Sequence, residues 1–240
     1  MRPCMRARFR TSIERGSVTR PRALLFDFDF TLAESSAGAI ECVNHALVHL
    51  GLPAAEKEAI RRSVAYPLPE ILARLTGIED EHAAVLFAQA FIRRADEVMA
   101  SLVTLFPGVI ETLAQLRSAG YRLAIVSTKY RYRIETILAH HGAHGLVDVI
   151  VGGEDVREHK PSPEPLLRAL AKLQMTAADA LYFGDHPVDA EAAAAAEVPF
   201  VAVLSGPSQL TEFTGWPRAG VMSSVTEIPR ILSERFATRV

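Results

Sequence analysis

Three polar residues at alternate positions, Asp27, Asp29 and Thr31, lie within the stretch LLFDFDFTLAE (24–34), which opens as an apolar run of strand type. In extended backbone, residues i, i+2 and i+4 face one way, so the spacing predicts one convergent polar cluster where a strand ends. Two carboxylates that close together repel unless a cation sits between them. A hard divalent ion with oxygen ligands, Mg²⁺ above all, satisfies both. Asp and Thr are also ordinary turn residues, so this stretch alone leaves a plain polar turn open.

The elements that must position the cluster follow from periodicity. Ser35 and Ser36 offer an N-cap to a helical pattern carrying Ile40, Val43, Leu47 and Leu50, which Gly51 and Pro53 stop. Further helical patterns run over 54–64, 67–75 and 79–102, and no strand pattern occurs between Glu34 and Leu105. Consecutive helices set straight after a strand bearing chemical groups predict an inserted helical bundle lying over the strand end as a lid. From Phe106 onward strands and helices alternate: helix 107–119, strand 122–127, helix 132–141, strand 147–151, helix 163–173 with Ser162 capping, strand 181–183, helix 187–197 and strand 200–204. A short edge strand at 221–223 and a last helix over 225–236 complete the pattern. This predicts an α/β protein with a doubly wound, mainly parallel, Rossmann-like sheet whose site lies at the strands' carboxyl ends. The polyalanine run Ala192 to Ala196 reads as a helix packed tightly on that sheet.

At those carboxyl ends stand four polar sets: Asp27-Phe28-Asp29-Phe30-Thr31, Ser127-Thr128-Lys129, Lys160-Pro161, and Gly184-Asp185 with Asp189 following. Any one set is common; four in this order at strand ends are not. With these motifs the chain resembles the haloacid dehalogenase-like (HAD) hydrolase superfamily, and within it phosphatases similar to phosphoglycolate phosphatase, from about Ala23 to the C-terminus. The resemblance implies a core at 22–34 and 105–240 and a small helical cap at 35–104, while the arginine-rich residues 1–21 read by composition as a basic, disordered extension.

It also implies a mechanism that suits the residue types. Asp27 attacks phosphorus and forms an aspartyl phosphate that water later hydrolyses. Asp29 protonates the leaving alkoxide and then takes a proton from the attacking water. Ser127, Thr128 and Lys160 hold phosphoryl oxygens, where transition-state charge gathers. Mg²⁺ is held by Asp27, the backbone carbonyl of Asp29, and Asp185. Asp189 orients Lys160 or a metal-bound water, and Thr31 braces the loop. Taken one at a time, Lys160 also reads as a solvated loop lysine, Ser127 as a strand-end cap, and Asp185 and Asp189 as helix-start residues.

Two positions depart from the family pattern. Phe30 stands where glycine is usual, which predicts negative φ and a ring near the entrance. Glu34 stands where aspartate is frequent, at the hinge into the cap. His186 lies between the two acids, either beside the metal or as a loop histidine, while His140, His141 and His144 show no ligand spacing and read as a surface turn. Lys129, Arg131 and Arg133 suit an anionic substrate and a solvated helix start equally.

The expected activity is therefore a Mg²⁺-dependent phosphatase acting on a small phosphorylated metabolite. Inorganic pyrophosphatase and phosphosugar mutase are the enzymatic alternatives. A dehalogenase would not need Asp29, and a non-catalytic binding module on the same fold would not need Asp27, Lys160 and Asp185 together. The cap offers Tyr66, Arg62, Arg74 and Glu70 without a readable substrate code.

Composition fits this reading. Hydrophobic residues make up 49% and charged residues 22% of 240, an ordinary globular balance, and no apolar run approaches membrane-spanning length. Seven of the 26 basic residues and one of the 28 acidic ones fall within 1–22, so the remainder carries a formal charge of −8. A body that acidic is expected to bind no nucleic acid, and no membrane partner is expected. Two cysteines, Cys4 and Cys42, make no disulfide framework and suit the cytoplasm. Monomer and homodimer are equally compatible.

Overall fold

The structure is a computed structural model and describes Ser12–Ile13 and residues 20–236. Its strands are β1 (Ser12–Ile13), β2 (Ala23–Phe26), β3 (Ala33–Glu34), β4 (Thr104–Leu105), β5 (Arg122–Val126), β6 (Val149–Val151), β7 (Ala180–Gly184), β8 (Phe200–Val203) and β9 (Gly220–Met222). Its α-helices are α1 (Ser36–His49), α2 (Lys57–Ser63), α3 (Leu68–Thr76), α4 (Glu81–Leu102), α5 (Val109–Ser118), α6 (Arg131–His140), α7 (Glu164–Leu173), α8 (Pro187–Ala195) and α9 (Ile228–Phe236).

Seven strands form one sheet in the order β1-β9-β8-β7-β2-β5-β6. All neighbours are parallel except β1 and β9. The sheet is doubly wound because every central strand is apolar on both faces. In β2, Leu24 and Phe26 enter one hydrophobic core and Ala23 and Leu25 the other. The first core continues through the helices between β3 and β4; the second takes Leu166, Ala169 and Leu170 of α7 together with Ala190, Ala192 and Ala193 of α8. Small side chains on α8 let it lie close to the sheet, as the polyalanine run predicts.

The chain order switches at β2, which pairs with β5 on one side and β7 on the other. A crevice at the carboxyl ends of a parallel sheet opens at such a switch. Over it lie α1 to α4, the helical cap. The longest of them, α4, opens on Asp80, whose carboxylate accepts from the Ala83 N–H at 2.8 Å, and it buries Phe87, Ala90, Phe91, Ala95 and Met99 along one face. The chain enters and leaves these helices through β3 and β4, which pair antiparallel, Ala33 opposite Leu105 and Glu34 opposite Thr104.

One expectation is corrected. The strand at 220–222 is not an edge, because Ser12–Ile13 pairs against it, Ser12 opposite Val221 and Ile13 opposite Gly220. Unpaired N–H and C=O groups along an edge recruit whatever extended chain lies near, and a short segment of the basic N-terminal stretch meets that need here. Most of the expected disordered extension lies outside the described residues. Among the described residues, no helix is long and apolar enough to cross a membrane.

Candidate active site

Adjacent strands deliver polar side chains at one level because their registers align. Phe26 lies opposite Phe183 of β7 and Ile125 of β5, so Asp27, Asp185 and Ser127 emerge close together at the strand ends. The Asp27 N–H still donates to the Phe183 carbonyl at 2.8 Å, and the Ser127 N–H to Val151 at 3.0 Å, which fixes both residues to the sheet. Lys160 arrives from the loop before α7, and Asp189 from the first turn of α8. All five side chains are buried.

Lys160 is the hub. Its Nζ donates to Asp27 Oδ1 at 3.0 Å, to Asp189 Oδ1 at 2.5 Å and to the Tyr182 hydroxyl at 3.2 Å. Burial opposes the ammonium charge, but Asp189 and Asp27 outweigh it and hold the Lys160 pKa above its ordinary value. Tyr182 in turn donates to Asp189 Oδ1 at 2.8 Å. Asp189 also accepts the His186 N–H on its other oxygen at 3.1 Å. Asp189 is thus satisfied from three sides, and it can hold Lys160 in place rather than meet a ligand.

Close backbone approach makes this packing possible. A Cβ on Gly184 would lie 2.6 Å from the Asp189 Cβ, and one on Gly206 would lie 1.9 Å from Asp185 Oδ2, so neither position tolerates a side chain without displacement.

Asp27, Asp29 and Thr31 do not all converge. β2 ends at Phe26, and the chain then turns, with the Leu32 and Ala33 N–H groups both donating to the Phe28 carbonyl. Alternation therefore fails beyond the strand. Asp27 faces Lys160, and Thr31 donates to Asp185 Oδ1 at 3.1 Å. Asp29 borders the same space but has other partners: its Oδ1 accepts from the Ser35 hydroxyl and lies 3.0 Å from Lys129 Nζ. Ser35 precedes α1 but makes no side-chain cap, because Asp29 takes its hydroxyl. Ser35, Lys129 as the partner of Asp29, and Tyr182 are the members that sequence reading did not place. For Lys129 a signal existed, since it stands two residues after Ser127.

Phe30 brings a further correction. Its φ is +60°, in the left-handed region, and not negative. The turn decides this: its N–H donates to Ala33 at 2.7 Å, and its carbonyl accepts from the Ser205 hydroxyl at 2.6 Å. Those bonds and a ring only 3% exposed offset the strain of a side chain in that region.

The donor set suits a cation. Asp27, Asp185 and Asp189 bring carboxylate oxygens within 4.8 Å of one another. Four buried carboxylates (these and Asp29) face two ammonium groups, Lys160 and Lys129, which leaves two negative charges for a divalent ion to balance. Burial, reinforced by the Asp189 and Asp29 charges and opposed by Lys160, lifts the Asp27 carboxyl to about 7. Burial, then Asp27 and Asp189, raises Asp185 well above the usual carboxylate range. Oxygen-only ligands of this kind suit a hard ion such as Mg²⁺, which Asp27 and Asp185 would hold, Asp189 being committed to Lys160.

The cap lies against the site. Arg61 sits over the Phe30 ring, 5.5 Å from its centroid, and Tyr66 meets His186 edge-on at 5.2 Å. His186 accepts the Val188 N–H at 3.2 Å as a helix cap, and it stands outside the carboxylate cluster. Arg62 reaches Glu212 at 3.3 Å, while Arg74 pairs with Glu70 and stacks on Tyr66. Arg131 is held by Asp155, and His141 bonds to the Val103 carbonyl at 2.9 Å. A tight space bordered by Asp27, Ser127 and Asp185 shares the walls Asp29, Val64 and Thr128 with a cavity of about 240 Å³ under the cap.

The family description haloacid dehalogenase-like hydrolase matches residues 24–203, which runs from the second residue of β2 to the end of β8 and takes in every residue of the cluster. The chain belongs to the haloacid dehalogenase-like hydrolases. It is similar to a phosphoglycolate phosphatase of Xanthomonas campestris, 32% identical over 217 residues that cover 82% of this chain and 98% of the relative. A phosphoglycolate phosphatase of Pectobacterium atrosepticum is 36% identical over 196 residues, covering 79% and 82%. Among solved structures, a haloacid dehalogenase-like hydrolase of Bacteroides fragilis superposes with a TM-score of 0.84 at 39% identity, covering 87% of this chain and 99% of that one. CbbY of Rhodobacter sphaeroides, solved in complex with phosphate, gives 0.74 at 27%, covering 87% and 96%. Within this family the sheet with its helical cap is the expected architecture.

Proposed function

We propose that this phosphatase of the haloacid dehalogenase-like hydrolases depends on Mg²⁺ and hydrolyses a small phosphorylated metabolite through an aspartyl phosphate on Asp27. The observation that carries the reading is the pairing of Asp27 with Lys160 beside Asp185, at the bottom of a space that opens past Asp29 toward the cap. The relatives named phosphoglycolate phosphatase, and the similar CbbY structure holding phosphate, support the same chemistry.

Each side chain then has a task. Asp27 Oδ attacks phosphorus, and the bond to the ester oxygen breaks. Asp29 gives the departing alkoxide its proton and later accepts one from the water that cleaves the acyl phosphate. Ser127, Thr128 and Lys160 bind the phosphoryl oxygens, Lys160 held in register by Asp189 and Tyr182. Thr31 braces Asp185. Mg²⁺, held by Asp27, the Asp29 carbonyl and Asp185, would keep the nucleophile ionised and offset charge on the phosphoryl group. The α1–α4 cap, at about 35–104, closes over the site and excludes water during the first step. An unpaired, buried Cys42 suits a reducing compartment, in keeping with a cytoplasmic enzyme.

The test is phosphate release from a panel of phosphate esters and pyrophosphate, with Mg²⁺ and with chelator, beside Asp27→Asn. Release that needs Mg²⁺ and disappears in Asp27→Asn is expected. Release that survives in that variant would sink the aspartyl-phosphate route, and a rearranged sugar phosphate in place of free phosphate would make the enzyme a mutase.

A further inference from the structure

The space over the reacting groups has walls from both halves of the protein: Asp27, Phe30, Asp185 and Pro207 from the core, Arg61 and Val64 from the cap. Its volume of about 10 Å³ is room for about one water, less than a phosphoryl group needs. Cap and core must part to admit a substrate, so the contacts that join them here are those of the closed cap. Near the end of α2, two neighbouring arginines make such contacts.

Arg61 is committed on three sides. Its guanidinium lies over the Phe30 ring, its Nε donates to the Ser36 hydroxyl at 2.9 Å and its Nη1 to Glu58 at 3.0 Å. Phe30 follows Asp29 in the chain, and Ser36 follows Ser35, whose hydroxyl donates to Asp29. One cap side chain thus touches the residue next to Asp29 and the residue next to the hydrogen-bond donor of Asp29. Arg62 donates from Nη1 to Glu212 Oε2 at 3.3 Å and from Nη2 to the Pro207 carbonyl at 3.4 Å. Glu212 is set for this role, since its other oxygen accepts the Gln209 N–H at 2.7 Å. The segment that carries Pro207 and Glu212 begins at Ser205, whose hydroxyl donates to the Phe30 carbonyl, so the two arginines grip one connected unit. A glycine at position 30 would offer Arg61 no face, whereas the ring does, which gives a strained residue a use.

We propose that Phe30 is a docking ring for the cap, and that Arg61 and Arg62 are positioning residues which make closure of the cap and the placing of Asp29 a single event. The proposal rests on the phosphatase reading for its closing cap, and it adds the side chains on which closure depends. Each contact alone is small, because the Arg62–Glu212 pair is exposed and Arg61 is partly so. A cap equilibrium needs no more: a few-fold shift in the open-to-closed ratio changes the fraction of protein ready to react.

The experiment reads the open-to-closed ratio from spin-label distances, by double electron–electron resonance between Val48→Cys on α1 and Leu167→Cys on α7, both exposed sites. Cys4→Ser removes one native thiol, and Cys42 is buried. Phe30→Leu, which keeps bulk and loses the aromatic face, and Arg61→Met should each raise the ratio about two- to fivefold, and the double variant no more than the larger single. Arg61→Lys keeps a cation over the ring and should stay within about twofold of the unaltered protein. In Mg²⁺, kcat for Arg61→Met should fall further on an alkyl phosphate than on p-nitrophenyl phosphate, because the residue acts through Asp29. Shifts that multiply in the double variant, equal shifts in Arg61→Met and Arg61→Lys, or equal falls on the two esters would overturn the proposal. The comparison of Arg61→Met with Arg61→Lys decides if Phe30→Leu does not fold. Distances need no turnover, so absence of phosphate release would end the phosphatase reading while the ratios still decide the docking.

Discussion

Lys129 Nζ lies 3.0 Å from Asp29 Oδ1, and both side chains are 7% exposed. A carboxylate so enclosed relies on that ammonium and on the Ser35 hydroxyl for its charge and its direction. If Asp29 is the group that protonates the leaving oxygen, Asp29→Asn should lower kcat by about 10²–10⁴-fold on alkyl phosphates. The fall should be smaller on p-nitrophenyl phosphate, whose phenolate leaves without a proton. Lys129→Met should shift both in the same sense by roughly tenfold, since it disturbs Asp29 without removing it. Equal losses on both esters would remove the acid role from Asp29.

Stability should depend on pH in a way that a divalent ion reverses. Asp27 rises from 3.8 to about 7 on folding, and Asp185 also rises. The folded state then binds more protons than the unfolded one between those values, so metal-free protein loses stability as pH climbs from about 4 to 7. Lys160, raised as well, contributes throughout this window because both its states remain protonated there. Thermal melts at pH 5 and pH 8 should show a larger gain from Mg²⁺ over chelator at pH 8. A gain independent of pH would mean that the ion binds elsewhere.

Phe30 sets two effects against each other. Glycine would relieve the left-handed backbone, worth about 1–2 kcal/mol, but emptying a buried aromatic site costs about 3–5 kcal/mol. Burial wins, so Phe30→Gly should destabilise. Phe30→Ala keeps the strain and loses the ring, and it should be less stable than Phe30→Gly by about 1 kcal/mol in urea titrations. The opposite order would show that the turn relaxes when the ring is gone.

Tyr182 touches no proposed reacting atom, yet it links Lys160 and Asp189. Removing its hydroxyl in Tyr182→Phe should cost about 1–2 kcal/mol of stability and reduce kcat several-fold. Lys160→Met should abolish phosphate release. Comparable losses in the two variants would make Tyr182 a direct participant.

The strand-and-helix alternation was readable because β2, β5, β6, β7 and β8 are apolar runs stopped by Gly, Pro or a polar residue, whereas β3 and β4, two residues each, were not seen. Three of the polar sets, those at Asp27, Ser127 and Asp185, were legible at strand ends for the same reason, whereas Lys160, expected at a strand end too, stands in the loop between β6 and α7. What lay beyond reach depends on contacts distant in sequence. The left-handed turn at Phe30 is fixed partly by Ser205, 175 residues away. The choice of Ser35 to bond Asp29 over capping α1 follows from where the turn after β2 points. Pairing of Ser12–Ile13 with β9 carries no periodic signature, because two residues are too few to show one.

The β3–β4 pair gives the cap an unusual relation to the sheet. Since Ala33 stands opposite Leu105, the sheet meets the whole excursion between them as it would meet a hairpin turn. Lengthening a loop whose ends are already joined adds little further closure entropy, which rises only with the logarithm of length. The helices there add little closure cost to the assembly of β2, β5 and β7, although their apolar faces share one core with those strands.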